Sequence, residues 1–196
     1  TRQANVLQLL LAKQATSREH FAPSELPALR ELNLSHNLMS SLKGFGYLPQ
    51  LKILRLRDNR LETLFCKPAP DDKNFRRGLF GMPGLELLDV TQNQLQYLYG
   101  LQYSPLKELK MLFAANNEIV KIEHLEKLRQ LRELDLSKKL CHDQPTALRA
   151  VLLMLPGLTS LKYRQPGLKH AFFQPHLLAG GSRGQRGQAH DAPAED

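Results

Sequence analysis

The sequence predicts a curved solenoid of the α/β class. Short parallel strands line its concave face, turns or 3₁₀ segments form its convex side, and a helical cap closes its C-terminal end. Two observations predict this. First, one pattern, Leu-x-x-Leu-x-Leu-x-x-Asn-x-Leu, recurs along the chain. It reads Leu29, Leu32, Leu34, Asn37, Met39, then Leu51, Leu54, Leu56, Asn59, Leu61. It returns as Leu85, Leu88, Val90, Asn93, Leu95 and as Leu109, Leu112, Ala114, Asn117, Ile119. A fifth copy begins at Leu131, Leu134, Leu136 and carries Lys139 in the Asn place. Second, the copies start 22, 34, 24 and 22 residues apart, a period characteristic of stacked repeat units.

Each element follows from its local pattern. Within a copy, Leu32-x-Leu34 or Leu54-x-Leu56 alternates with the period of two that gives a strand one buried face. The apolar residues that follow, Leu42, Phe45 and Leu48 in the first copy and Ile122, Leu125 and Leu128 in the fourth, carry the chain around the convex side. A 22-residue period leaves room there for a compact turn or a 3₁₀ segment. The 34-residue interval marks an insertion over 65–84, whose Pro68, Pro70, Asp71 and Asp72 read as loop. Phe75, Leu79, Phe80 and Met82 are expected to return to the core, leaving Lys67, Lys73, Arg76 and Arg77 outside.

The array spans 29–162. Its last part, 140–162, is expected to cap it: a helix from Pro145 to Leu155, well started by proline and stopped at Pro156, followed by Leu158 and Leu161. Open repeat ends need such covers. Before the array, residues 1–28 form either a degenerate repeat or a helical cap, since Leu7, Leu10 and Ala12 precede Leu29, Leu32 and Leu34 by 22 residues. After it, 163–196 changes character, with Gly, Gln and Arg recurring over 180–188 and an acidic end, and is expected to be a disordered tail.

The ninth-position asparagines have a physical reason. Where a strand ends and the chain bends, backbone groups lose their ladder partners and need others. An Asn amide supplies two donors and an acceptor. Asn37, Asn59, Asn93 and Asn117 are therefore assigned to a structural ladder rather than to a ligand site.

Composition narrows the function. The net charge is +8, but acidic and basic residues balance over 85–139. The excess sits in 29–84 and 140–170, without the dense stripe of a nucleic-acid groove. Only two cysteines occur, Cys66 and Cys141, which favours a reducing, intracellular compartment and a cytoplasmic location. No apolar run approaches the ~20 residues of a membrane span. Gly44-Phe45-Gly46 lacks the rest of a phosphate loop, and the histidines show no metal-ligand spacing. No catalytic residue, metal or cofactor is expected, and no small-molecule substrate.

The copies and the closing segment resemble the intracellular leucine-rich repeats first associated with a protein phosphatase 1 regulatory subunit. They are also similar to modules of dynein-assembly and ciliary repeat proteins. The resemblance covers 29–162. In the cap it departs at Leu148, where the family has Tyr, and at Lys162, where it has Asp. It implies a leucine-rich repeat horseshoe, a protein-binding role, and a phosphatase or a ciliary or cytoskeletal protein as partner.

On such a sheet, residues alternating with the buried leucines line the concave face. One column is Glu31, Ile53, Leu87, Met111, Glu133. The next is Asn33, Arg55, Asp89, Phe113, Asp135. The third is Ser35, Arg57, Thr91, Ala115, Ser137. Ile53, Leu87, Met111 and Phe113 form an apolar centre, with Arg55 and Arg57 to one side and Glu133 and Asp135 beyond it, and Asp89 is a further candidate contact. Apolar centres with polar rims are typical of interfaces. The expectation is a non-catalytic scaffold or adaptor that binds another protein there. The alternative is a basic module touching RNA or an anionic membrane through Arg55, Arg57 and the 65–84 insertion.

Overall fold

The computed structural model describes residues 28–42, 45, 47–65, 78–102, 105–137, 151–163 and 171–173. The expected N-terminal cap or repeat over 1–28 therefore lies almost entirely outside the described residues. So do most of the insertion, Lys139, and the start of the cap helix.

The strands form where the repeat pattern places them. They are β1 (Glu31–Asn33), β2 (Ile53–Arg55), β3 (Leu87–Asp89), β4 (Met111–Phe113), β5 (Glu133–Asp135), β6 (Ser160–Tyr163) and β7 (Ala171–Phe173). They make one seven-stranded sheet in sequence order. The first six strands run parallel and in strict register: Leu32, Leu54, Leu88, Leu112, Leu134 and Leu161 sit side by side. Every one of these six is buried in the core. A one-residue slip would turn the whole row outward, so burial itself specifies the register.

The core is a stack of leucine layers. Leu51, Leu85, Leu109 and Leu131 open their repeats and are fully buried, as are Leu56 and Val90 two residues after the strand-centre leucines. Leu29, at the first turn, is only partly buried against the cluster. On the convex side, Leu42, Phe45 and Leu48 in one turn and Ile122, Leu125 and Leu128 in another point inward. Short bonds such as Leu51 N to Leu48 O and Leu131 N to Leu128 O close tight turns there. The convex side is thus turn-built, with a 3₁₀ segment at Gly78–Gly81.

That 3₁₀ segment returns the insertion to the core. Leu79 and Met82 are buried, Gly78 N donates to Phe45 O, and Leu48 N donates to Gly81 O. The extra residues therefore leave and rejoin without disturbing the β2–β3 register. Gly100 has its own constraint. Its φ is +111°, and a Cβ there would stand 2.9 Å from Phe65 N and 3.0 Å from Leu64 C.

Two differences from expectation arise at the C-terminal end. Residues 151–154 are helical, with Val151 and Leu155 in the core. Leu158 and Leu161, expected as cap residues, instead open and centre a further repeat whose strand, β6, pairs parallel with β5. Leu155-Pro156-Gly157-Leu158-Thr159-Ser160-Leu161 also reproduces the spacing of Met82-Pro83-Gly84-Leu85-Glu86-Leu87-Leu88. Secondly, Ala171–Phe173 lies in the segment expected to be a disordered tail, yet pairs antiparallel with β6. Its backbone covers the sheet edge that β6 would otherwise expose, and open edges invite association.

Candidate concave binding face

The edge of the sheet just beyond the strands is held by the asparagine ladder. Asn59 Nδ2 donates to Leu56 O in its own repeat at 3.0 Å and to Leu34 O in the preceding one at 3.0 Å. Asn93 bridges Val90 O and Leu56 O in the same way, and Asn117 bridges Ala114 O and Val90 O. Their Oδ1 atoms accept from Met39 N, Leu61 N and Leu95 N of the preceding turn. These three side chains are buried, whereas Asn37, at the first turn, is half-buried and bonds within its own repeat.

The residue before each asparagine turns the chain. His36, Asp58, Gln92 and Asn116 have φ between 55° and 61°. Their amides donate across to Arg57, Thr91, Ala115 and Ser137 carbonyls. Left-handed backbone at non-glycine residues costs free energy and persists only where surrounding bonds hold it. Here each strained residue supplies one bond to the next turn.

The register brings the proposed site residues together as columns. Glu31, Ile53, Leu87, Met111, Glu133 and Ser160 are successive neighbours. So are Asn33, Arg55, Asp89, Phe113, Asp135 and Lys162. Exposure is uneven. Ile53, Met111 and Phe113 are half-buried and reach the surface, while Leu87 is only 9% exposed and Ala115 only 6%. The apolar centre is therefore narrower than the sequence suggests, because Leu87 belongs mostly to the scaffold.

The polar members divide by their partners. Arg55 pairs with Glu31 on the neighbouring strand, and Arg57 Nε donates to Gln92 Oε1 at 2.9 Å. Both arginines of the supposed basic surface are thus engaged by acceptors of neighbouring repeats. Asp89 Oδ1 accepts from Thr91 N at 2.9 Å. Asp135 Oδ1 accepts from Ser137 N at 3.0 Å and from its hydroxyl at 2.7 Å. Asn33 Oδ1 accepts likewise from Ser35 N. These Asx turns stabilise the chain where it leaves each strand. The spacing Asn33-x-Ser35, Asp89-x-Thr91, Asp135-x-Ser137 is the sequence signal for them. Glu133 remains exposed beside Met111.

A further polar column lies one residue before the strands: Arg30, Lys52, Glu86, Lys110, Arg132. Glu86 sits between two ammonium groups, 3.0 Å from Lys52 Nζ and 2.7 Å from Lys110 Nζ. Hydrogen bonds from Lys110 and then Lys52 hold its carboxyl below the ordinary value. Among the described residues no three His, Cys, Asp or Glu side chains converge as a metal site would need. Among them, too, no helix is long and apolar enough to cross a membrane.

Residues 14–61 match the family model described as leucine rich repeat. Strands β1 to β6 extend beyond that match as a parallel-strand solenoid built on in-register leucine rows. Toll-like receptor 4 of Pongo pygmaeus is 32% identical over 99 residues, which is 48% of this chain and 11% of the receptor. Trophoblast glycoprotein of Macaca fascicularis is 29% identical over 122 residues, 56% of this chain and 29% of that protein. The chain thus spans about a tenth of the receptor and under a third of the glycoprotein. Among solved structures, a leucine-rich repeat protein of Leptospira interrogans is 21% identical with a TM-score of 0.44. That match covers 70% of this chain and 37% of the other.

Proposed function

We propose that this solenoid is a non-catalytic scaffold or adaptor that holds a segment of another protein on its concave face. The observation that carries this reading is the placement of Ile53, Met111 and Phe113. The register sets Met111 and Phe113 on β4 and Ile53 two strands away on β2, at the surface, among charged residues of the same columns. Solvated apolar side chains at the centre of a rigid sheet gain free energy when a partner covers them. Repeat proteins use extended concave surfaces in this way.

A finer assignment rests on resemblance. The 22-residue copies and the closing segment are similar to the protein phosphatase 1 regulatory type. The Gly78-Leu79-Phe80-Gly81-Met82-Pro83 segment looks like that of leucine-rich-repeat-containing protein 9. On this reading the protein works inside the cell, in the cytoplasm or the cilium, and its partner is a phosphatase or a ciliary or cytoskeletal protein.

The test is affinity capture with a paired Met111→Asp and Phe113→Asp variant. The variant loses the proteins captured by the parent while its unfolding transition stays in place. An unchanged set of captured proteins refutes the concave patch as the site.

A further inference from the structure

The column that contains Phe113 has a charge order that selects an occupant. Read across β2 to β6, it runs Arg55, Asp89, Phe113, Asp135, Lys162. The aromatic ring is flanked on each side by one carboxylate, and each carboxylate by one cation further out. Adjacent strands lie about 4.8 Å apart, so the two Asp Cα positions stand about 10 Å from each other across the ring. Both carboxylates are fixed: Oδ1 of each accepts from the amide two residues on. Among the described residues Oδ2 of neither carries a hydrogen bond or ion pair. Arg55, the cation beside Asp89, pairs with Glu31 instead.

Resting on the concave-face reading above, we propose that this column is an anchor for an arginine side chain of the partner. The arginine lies over Phe113 with its guanidinium between Asp89 and Asp135. A cation is attracted to an aromatic face. A planar guanidinium also presents a fork of donors to carboxylates, which an ammonium does not. Met111 beside Phe113 and Ile53 two strands away receive the apolar residues next to that arginine. Lys162, exposed at the outer end of the column, favours an acidic residue at that end of the same segment. The two Asx turns preorganise the carboxylates, so little ordering is left to the moment of binding.

The experiment is selection of a random peptide display library on the whole chain. The enriched peptides share one central arginine with apolar neighbours. Replacing that arginine by citrulline, its uncharged isostere, weakens the best peptide about tenfold. A protein variant with both Asp89→Asn and Asp135→Asn weakens the parent peptide to a similar extent but not the citrulline form. It also keeps its unfolding transition, because asparagine can accept the same amide hydrogen bond, as Asn33 does from Ser35. Phe113→Leu weakens the parent peptide severalfold and discriminates less between arginine and citrulline. Enriched peptides that lack a shared arginine, yet fail to bind the Met111→Asp variant, overturn the arginine anchor and leave the concave site standing. Peptides that bind that variant as well as the parent, or a library with no enrichment, overturn both.

Discussion

The rim of the sheet and its concave face come from the same repeats, each rim asparagine standing four residues after a concave residue, yet they obey different rules. On the rim, Asn59, Asn93 and Asn117 are buried and every polar atom of each amide is bonded. Each ties two successive turns. On the concave face the residues at equivalent positions are Arg55, Asp89, Phe113 and Asp135, a cation, an aromatic ring and two carboxylates. The rim must satisfy backbone groups that the bend orphans, so it repeats one residue. On the face only Asn33, Asp89 and Asp135 serve the backbone, each through one Asx turn, so the other positions vary and their variation is available for recognition.

That contrast can be broken most severely at the rim. Asn93→Ala leaves Leu61 N without its acceptor and removes one of two amide donors from each of Leu56 O and Val90 O, which keep Asn59 and Asn117. Leaving that buried amide unpaired and two buried carbonyls with one bond fewer is expected to cost about 3 kcal/mol, read as a lower midpoint in denaturant unfolding. Gly100→Val tests the convex side. With φ at +111° and backbone atoms of Leu64 and Phe65 within 3.0 Å of a new Cβ, a loss of about 2 kcal/mol is expected by the same measurement.

The concave face should respond oppositely. The Asp89→Asn and Asp135→Asn pair, and Met111→Asp alone, should shift stability by no more than about 0.5 kcal/mol, while binding falls sharply. A Met111→Asp loss as large as that of Asn93→Ala would show that face and rim are not separable.

The smallest effect is the Lys52–Glu86–Lys110 chain at the strand entrances. Glu86 is an acid held below its ordinary value of 4.5. Its contribution to stability is therefore full above that value and lost as pH falls through the lower folded one. Glu86→Gln should lower the midpoint slightly at neutral pH, with the difference from the parent vanishing in acid and shrinking in high salt. A difference that persists in acid would assign the effect to packing rather than charge.

Much of this was legible in the residues. The leucine spacing located β1 to β5, and the alternation within each copy placed Ile53, Met111 and Phe113 in neighbouring columns. Three features were not legible. Leu158 follows Leu131 by 27 residues instead of 22 to 24, and Tyr163 stands where Leu or Val recurs, so β6 escaped the pattern. The pairing of Ala171–Phe173 with β6 is antiparallel and outside any repeat. Leu87 occupies a concave column yet is nearly covered, because how far a side chain emerges depends on its neighbours rather than on its place in the period.

By itself, then, the sequence determined the repeat, its register and the residues that share a column. Those follow from periodic burial and from backbone groups that must be paired, and both are local rules written once per turn. Only the tertiary structure decided which column members reach solvent, which are already engaged, and what each stands beside. Arg55 is occupied by Glu31, and Phe113 lies between two carboxylates held by Asx turns. Such relations join residues 22 to 34 positions apart, and they exist only once the turns are stacked.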